Sequence, residues 1–211
     1  MASRSRSSGS LIGELKKIQK RIKKDYQLAL DLYNTGNYDA MYLAGLIAHD
    51  ARMTRKDLQR WVDKAYGGSL PGATVPWVAA GNPHGRELAP EWIESPKVML
   101  AAAGCATLSS LVSIKPDADL DVAELKRLLQ RVKKEIHNAP DAVCYQMNHF
   151  VIAVGSYVSS LTEFAIEIDE KIGPVTADLG NNDCQVFSAP DYIRKVQAHG
   201  TIGKKRRSAK C

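Results

Sequence analysis

Hydrophobic side chains recur every three or four residues along most of the chain, which is the spacing of one face of an α-helix. In the first such segment, Leu11, Leu15, Ile18 and Ile22 follow this spacing, and lysines occupy many of the positions between them. This pattern predicts an amphipathic helix whose polar face is strongly basic. The polar, serine-rich residues 1–10 that precede it are predicted to be disordered.

Further helices are predicted from the same spacing together with caps and turns. The first helix is expected to end near Tyr33, before the turn sequence NTGN. Thr54 followed by Asp57 is typical of a capping box, so a helix is predicted to begin there. The segment SPKVMLAAAGCATLSSLV is apolar on nearly all sides, which indicates a central buried helix. A further helix with a basic outer face is predicted over DVAELKRLLQRVKKEIHN.

The stretch SLPGATVPWVAAGNPHGRELAPEWIES contains enough Pro and Gly to allow only short helices or turns, and after Gly173 the helical spacing gives way to alternation. In PVTADLGNNDCQVF, Val175, Ala177 and Leu179 alternate with other residues ahead of a Gly-Asn-Asn-Asp turn, which predicts a short β-hairpin near the C-terminus. Paired helices with short links and no other strands predict an all-α fold, a HEAT-like α-solenoid (an α-α superhelix) over residues 11–203. A compact helical bundle is the alternative, because the sequence shows no obvious repeat signature.

The positive charge of the chain is concentrated at its two ends. The formal net charge is +6; the first 24 residues hold eight cationic side chains against one acid, Glu14, and residues 204–211 hold five with no acidic side chain. A localised basic field favours a polyanionic partner, of which nucleic acid is the commonest. The run KKRR in the basic tail, residues 204–211, leaves three interpretations open: a solvated tail, a nuclear localisation signal or a phosphate-binding surface.

The sequence lacks the patterns of common enzyme, metal and membrane classes. There is no Walker loop, GxSxG or HExxH, and the five histidines lack metal-ligand spacing, so neither a metal nor another cofactor is predicted. The longest apolar run, VMLAAAGCATL, is about half the length that a bilayer requires. Cys105 and Cys144 fall in apolar helical patterns, and we expect a reduced, cytoplasmic protein with no membrane partner. For Cys184 and Cys211, a redox pair or metal clip is the alternative to ordinary reduced thiols.

Two groups of side chains are candidates for chemistry. Trp77, His84, Arg86 and Trp92 cluster in a segment rich in Pro and Gly, where they would either contact nucleic acid or, as tryptophans more often do, fill gaps between helices. Asp63 lies on a helix with cationic neighbours, so it is either a surface ion-pair partner or a carboxylate that faces a groove.

Several segments resemble the DNA alkylation repair (AlkD-like) HEAT-repeat family. The most specific are YQMNHFVIAVGSYV, a helix ending in EKIG, then PVTADLGNNDCQV, PDYIRKV and the final GTIGKKR with a terminal cysteine. Upstream, RWVDKA is similar to the family's Trp/Asp helix, and IESPKVMLAAAGCATL falls where its next core helix lies. The resemblance spans roughly Asp39 to the end of the chain and is most specific from Tyr145 onward.

The resemblance implies a right-handed stack of helices with a basic groove for duplex DNA, in which an Asp stabilises positive charge on the sugar as an N-alkylated purine leaves. Asp63 takes the place of that carboxylate. The Trp expected one turn earlier is Gln59, and residues 98–103, where the family's Arg is expected, contain no cation. The family's second Trp falls at His149. One of the four positions therefore matches.

These matches favour a DNA-binding member that grips duplex or structured DNA through a basic groove and lacks standard glycosylase chemistry. The first alternative is an alkylpurine DNA glycosylase that hydrolyses N3- or N7-alkylpurine bonds with Asp63 as electrostatic stabiliser. The second is a protein-interaction scaffold, because helical solenoids commonly bind peptides. The expected DNA-contacting residues are Lys16, Lys17, Lys20, Lys23, Arg60, Lys64, His149, Lys204, Lys205, Arg206 and Arg207.

Overall fold

The computed structural model describes residues 8–180 and 185–210, with the backbone alone for residues 8–11. Within these residues the chain folds into α-helices joined by short 3₁₀ and π turns, as the hydrophobic spacing predicts. The α-helices are α1 Ser8–Ile22, α2 Tyr26–Asn34, α3 Tyr38–Ile47, α4 Arg55–Lys64, α5 Val75–Ala80, α6 Gly85–Ile93, α7 Val98–Ile114, α8 Val122–Glu135, α9 Asp141–Tyr157, α10 Thr162–Ile172 and α11 Ala189–Ala198.

The core is built around two long apolar helices, α7 and α9, which pack along each other. Helices α5 and α6 cover α7, whereas α10 and α11 pack against α9. Helix α6 approaches α7 so closely that a Cβ added at Gly104 would lie 2.7 Å from the carbonyl oxygen of Ala89. The predicted central buried helix is confirmed as α7, and burial raises the pKa of its Cys105 thiol to about 12.

The first predicted helix, expected to end near Tyr33, is in fact two helices, α1 and α2. Lys23 between them has a φ of 66°, in the left-handed region that ends a helix. Asp25 then caps α2, because its carboxylate accepts a hydrogen bond from the amide of Leu28 at 3.0 Å. The amide of Asp25 donates to the carbonyl of Ile47 at 2.9 Å. The first bond fixes the start of α2, and the second joins that start to the end of α3.

The predicted β-hairpin is wrong for the residues that the structure describes. Residues 174–180 and 185–188 form no strand. The Asn-Asn-Asp part of the predicted turn and Cys184, residues 181–184, lie outside the described residues, as do residues 1–7 and Cys211.

Hydrogen bonds to helix α9 explain why this segment does not form a strand. The Asp141 carboxylate accepts from the amide of Asp178 at 2.9 Å, and the Asn148 side-chain amide donates to the carbonyl of Phe187 at 2.9 Å. The Asp178 carboxylate accepts from the amide of Gly180 at 2.8 Å, which forms a local turn. Backbone groups that a ladder would pair are thus bonded to side chains.

Helix α10 buries the carboxylate of Asp169, a residue that is only 6% exposed. Burial, followed by the nearby carboxylates of Asp191 and Glu170, raises the pKa of Asp169 to about 6. Because the folded state binds this proton more tightly than the unfolded chain, the stability that Asp169 contributes is fully present below about pH 4 and is lost as the pH rises through about 6.

Replacement Asp169→Asn is expected to raise the free energy of unfolding by about 1–2 kcal/mol at pH 8, with a smaller gain at pH 5. Urea denaturation at the two pH values measures the change. The exposed Asp119→Asn provides a control of the same chemistry at the surface, and it is expected to change stability by less than about 0.5 kcal/mol. A gain from Asp169→Asn that did not depend on pH would contradict this assignment.

Candidate nucleic-acid interface

Helix α4 carries Asp63, and a capping box fixes where this helix begins. The hydroxyl oxygen of Thr54 accepts a hydrogen bond from the amide of Asp57, and the Asp57 carboxylate accepts one from the amide of Thr54, both at 3.1 Å. The predicted cap is therefore confirmed. Because positions three and four apart share a helix face, α4 presents Arg60, Asp63 and Lys64 together at the surface.

The Asp63 carboxylate lies in a short polar network. Its Oδ1 is 3.6 Å from the ammonium nitrogen of Lys97, and its Oδ2 accepts a hydrogen bond from Gln59 Nε2 at 3.1 Å. The side-chain oxygen of Gln59 in turn accepts a hydrogen bond from Trp92 Nε1 at 2.9 Å. With 41% of its side chain exposed, Asp63 is accessible from solvent but already faces a cation.

Lys97 is the residue of this network that sequence reasoning missed. It lies one residue before the stretch 98–103 in which the family resemblance placed a cation. As the N-cap residue of α7, Lys97 sits beside the last turn of α4, which lies more than thirty residues earlier in the chain. The sequence signal that was available is the lysine of the motif SPK at the start of a buried helix.

The three tryptophans lie in the core and not at the surface. Trp61 and Trp92 are each 1% exposed and Trp77 is 8% exposed. The ring of Trp61 stacks on Tyr33 with centroids 4.1 Å apart, and Trp77 packs edge-on against Tyr42. The interpretation in which these rings fill gaps between helices therefore fits the structure, and base stacking on any of them would require their prior exposure.

The remaining candidates from the loop and from α9 lie in different surroundings. The guanidinium of Arg86 donates to the carbonyl of Asp119 at 3.4 Å, and the side chain of His84 is 44% exposed. His149 is largely buried in α9 with its ring edge-on to Tyr145 at 4.5 Å, and burial lowers the pKa of this imidazole. Burial thus favours the neutral form of the His149 imidazole.

Helix α1 and Lys23, which directly follows it, present most of the predicted DNA-contacting lysines of this segment to solvent. Lys17, Lys20 and Lys23 are exposed and Lys16 is half-buried. The ammonium group of Lys17 also bonds Glu14 at 2.7 Å, an exposed pair of the kind that contributes little to stability.

The basic tail docks onto the helices in part. Lys205 is turned inward: its ammonium nitrogen lies 2.7 Å from an Asp117 carboxylate oxygen and donates to the carbonyl of Val112 at 2.8 Å. Val112 is in the last turn of α7, where carbonyls have no partner within the helix and a cation is favourable. The amide of Arg206 donates to the Ser113 carbonyl at 2.8 Å, which continues this docking.

Lys210 anchors the end of the tail at a second helix terminus. Its ammonium nitrogen is 2.6 Å from Asp50 Oδ1 and donates to the carbonyl of Ala48, just beyond α3, at 2.9 Å. The adjacent Ala209 is 4% exposed and belongs to the core. The solvated-tail interpretation does not fit this geometry, and the cations of residues 204–210 that remain exposed are Lys204, Arg206 and Arg207.

Neither a metal-ligand cluster nor a single membrane-length helix is present in the described part of the chain. No group of three or more His, Cys, Asp or Glu side chains is arranged there to hold a metal ion. No single helix there is long and apolar enough to cross a membrane; α9 and the segment Ser159–Ile172 reach that length and composition only together, with a bend of 116° between them.

The class of fold that these helices define is a stack of paired helices. The chain belongs to the DNA alkylation repair enzyme family, whose model matches residues 1–174. This family membership confirms the resemblance seen in the sequence.

Two relatives and one solved structure are similar to the chain over most of its length. The chain is 31% identical over 193 residues to the uncharacterized protein Lin0241 of Listeria innocua and equally to the uncharacterized protein Lmo0209 of Listeria monocytogenes, with 90% of this chain and 83% of each relative covered. A solved structure is similar with a TM-score of 0.85 and 33% identity, covering 94% of this chain and 85% of the other. It represents a new family of proteins related to the HEAT-like repeat DNA glycosylases with affinity for branched DNA structures. The predicted all-α, HEAT-like fold is therefore confirmed, apart from the hairpin.

Proposed function

We propose that this protein holds branched or otherwise structured DNA, mainly through backbone phosphates, and does not release alkylated purines by the standard glycosylase constellation. The observation that carries the proposal is the state of Asp63, whose carboxylate faces Lys97 at 3.6 Å and accepts a hydrogen bond from Gln59.

The chemistry of base release argues against excision at this site. A carboxylate accelerates departure of a cationic purine by stabilising the positive charge that develops on the sugar. An ammonium group beside the same carboxylate offsets that stabilisation, because it repels the developing cation. Gln59 replaces the aromatic side chain that would hold the lesion, and Trp61 and Trp92 are buried.

DNA binding is supported by the exposed cations and by the relative of known structure. Phosphate contacts from Lys and Arg release counterions and give affinity without reading sequence. The α1 lysines, Arg60 and Lys64 of α4, and the exposed tail cations Lys204, Arg206 and Arg207 are side chains suited to such contacts. His149 and Lys205, being largely enclosed, are proposed as supports of this surface.

The decisive experiment follows binding and purine release together on three DNAs of matched sequence: a four-way junction, a plain duplex and an alkylated duplex. We expect the junction to bind more tightly than either duplex, with affinity that falls steeply as salt rises, and no purine release. In Asp63→Asn, Lys97 becomes available to phosphate, so affinity is expected to rise several-fold and the log–log salt slope to steepen by about 0.9.

Variants Lys97→Ala and Asp63→Asn/Lys97→Ala provide the matched controls, because the gain from Asp63→Asn should vanish when Lys97 is absent. Purine release by the unmodified protein that disappears in Asp63→Asn would instead establish the glycosylase alternative. Absence of binding to all three DNAs would favour the protein-interaction scaffold.

A further inference from the structure

A basic cleft lies between helices α8 and α10, away from the Asp63 site. This α8 cleft has a volume of about 530 Å³ and opens to solvent. Its lining combines polar side chains of α8 with the ring of Phe164 from α10. The α8 residues concerned are Lys126, Arg127, Gln130, Arg131, Lys134 and Glu135.

The charges in this cleft do not cancel. The guanidinium of Arg131 forms ion pairs with the carboxylates of Glu94 and Glu135, which raise its pKa. Arg131 therefore links α8 to the end of α6 and is not free to bind a phosphate. Lys126 and Lys134, by contrast, have no carboxylate within ion-pair distance in the described part of the chain. They lie eight positions apart, so the α8 cleft holds two cations separated by two helical turns, about 12 Å.

Phe164 gives the cleft an aromatic side chain. This residue is partly buried, packs against the core and also lines the cleft. The ammonium of Lys126 lies 5.7 Å from the ring centroid, within range of a cation–π contact. Aromatic rings flanked by cations are the arrangement that binds single-stranded nucleic acid, because any base can stack on the ring while phosphates meet the cations.

The α8 cleft adjoins a second cavity. Arg131, Lys134 and Glu135 are shared with a second cavity of about 400 Å³. The far wall of that cavity includes Ser95, Pro96 and Val98, the residues that flank Lys97. A strand that occupied both cavities would pass along α8 towards Phe164.

We infer that the α8 cleft takes an unpaired DNA strand at a branch point, with a base stacked on Phe164 and the neighbouring phosphates on Lys126 and Lys134. This inference rests on the proposed function, since it assigns a site for the part of a branched DNA that is not duplex. Stacking on an aromatic ring does not depend on base identity, so any base is expected to be accepted at Phe164.

The test compares a splayed-arm DNA, which carries unpaired arms, with a fully paired four-way junction of the same duplex sequence. Variant Phe164→Leu preserves apolar volume while removing the aromatic face, and it is expected to weaken splayed-arm binding about tenfold. Lys126→Ala/Lys134→Ala is expected to lower the salt slope for the splayed-arm DNA by about 1.4, because each contact with a single strand contributes about 0.7. Binding of the fully paired junction should change less than twofold in Phe164→Leu.

A fluorescent 2-aminopurine in the unpaired arm gives a direct readout of stacking, and its quenching on binding should disappear in Phe164→Leu. The control is Phe187→Leu, which alters a ring 46% exposed elsewhere on the surface and should leave quenching intact. Unchanged quenching and unchanged splayed-arm affinity in Phe164→Leu would overturn the inference while leaving the proposed function in place. Failure of the unmodified protein to bind either DNA would remove the proposed function as well.

Discussion

Replacing Lys210 by alanine is expected to lower the free energy of unfolding by about 3 kcal/mol at pH 7, because it leaves a buried carboxylate without its cation. The side chains of Lys210 and Asp50 are 11% and 17% exposed, and their charged atoms lie 2.6 Å apart. Burial raises the pKa of Asp50 and lowers the pKa of Lys210, so burial disfavours the charged form of each. Each charge is stable at this position mainly because the other is present.

The pH dependence of the variant gives a second check on this pair. The raised pKa of Asp50 means that its carboxyl favours the folded state when protonated, at low pH, and disfavours it as the pH rises. Removing Lys210 takes away a group that lowers this pKa, so the penalty of Lys210→Ala should shrink as the pH falls from 7 to 5. Urea denaturation of both proteins at pH 7 and pH 5 measures this stability penalty.

A matched substitution in the same tail separates the ion pair from the effect of losing any cation. Lys204 is exposed, and Lys204→Ala is expected to change stability by less than about 0.5 kcal/mol. The double variant Asp50→Asn/Lys210→Met should recover much of the loss, since a buried ion pair replaced by neutral groups of similar size is often tolerated. A Lys210→Ala variant as stable as Lys204→Ala would mean that the tail is not anchored at Asp50.

The basic tail shows where sequence reasoning reaches its limit. The run KKRR and the nearby Lys210 identify a cationic segment. Composition alone does not show that Lys205 and Lys210 bond helix ends, whereas Lys204, Arg206 and Arg207 face solvent. The partner of Lys210, Asp50, lies 160 positions earlier, and no local pattern connects two residues so far apart. Such pairs are decided by tertiary packing.

Local patterns predicted the features that depend on neighbours in sequence. The Thr54 cap and the central helix α7 follow from spacing over one to four turns, and both are confirmed. The predicted hairpin failed because Asp141 and Asn148 of α9, more than thirty residues away in sequence, bond the backbone of that segment. Lys97 was missed for the same reason, since its contact with Asp63 joins two helices that are not adjacent in sequence.

Trp61→Ala is expected to destabilise the protein by about 4 kcal/mol, the cost of removing a large buried ring. Trp61 is 1% exposed and stacks on Tyr33, whose ring lies nearly parallel to it at 5°. The Tyr33 hydroxyl donates to the backbone carbonyl of Trp61 at 2.7 Å, so this hydrogen bond can remain when the side chain is changed. The predicted loss therefore measures packing, and urea denaturation determines it.

The milder Trp61→Phe keeps a ring against Tyr33 and should cost about 1–2 kcal/mol. Because Trp61 is buried two residues before Asp63 and faces away from solvent, the affinity of Trp61→Phe for a four-way junction should equal that of the unmodified protein at the same salt concentration. A folded Trp61→Phe protein with clearly weaker junction binding would place this ring in contact with DNA. It would then follow that α4 must open to bind, and that the core position of Trp61 belongs only to the free protein.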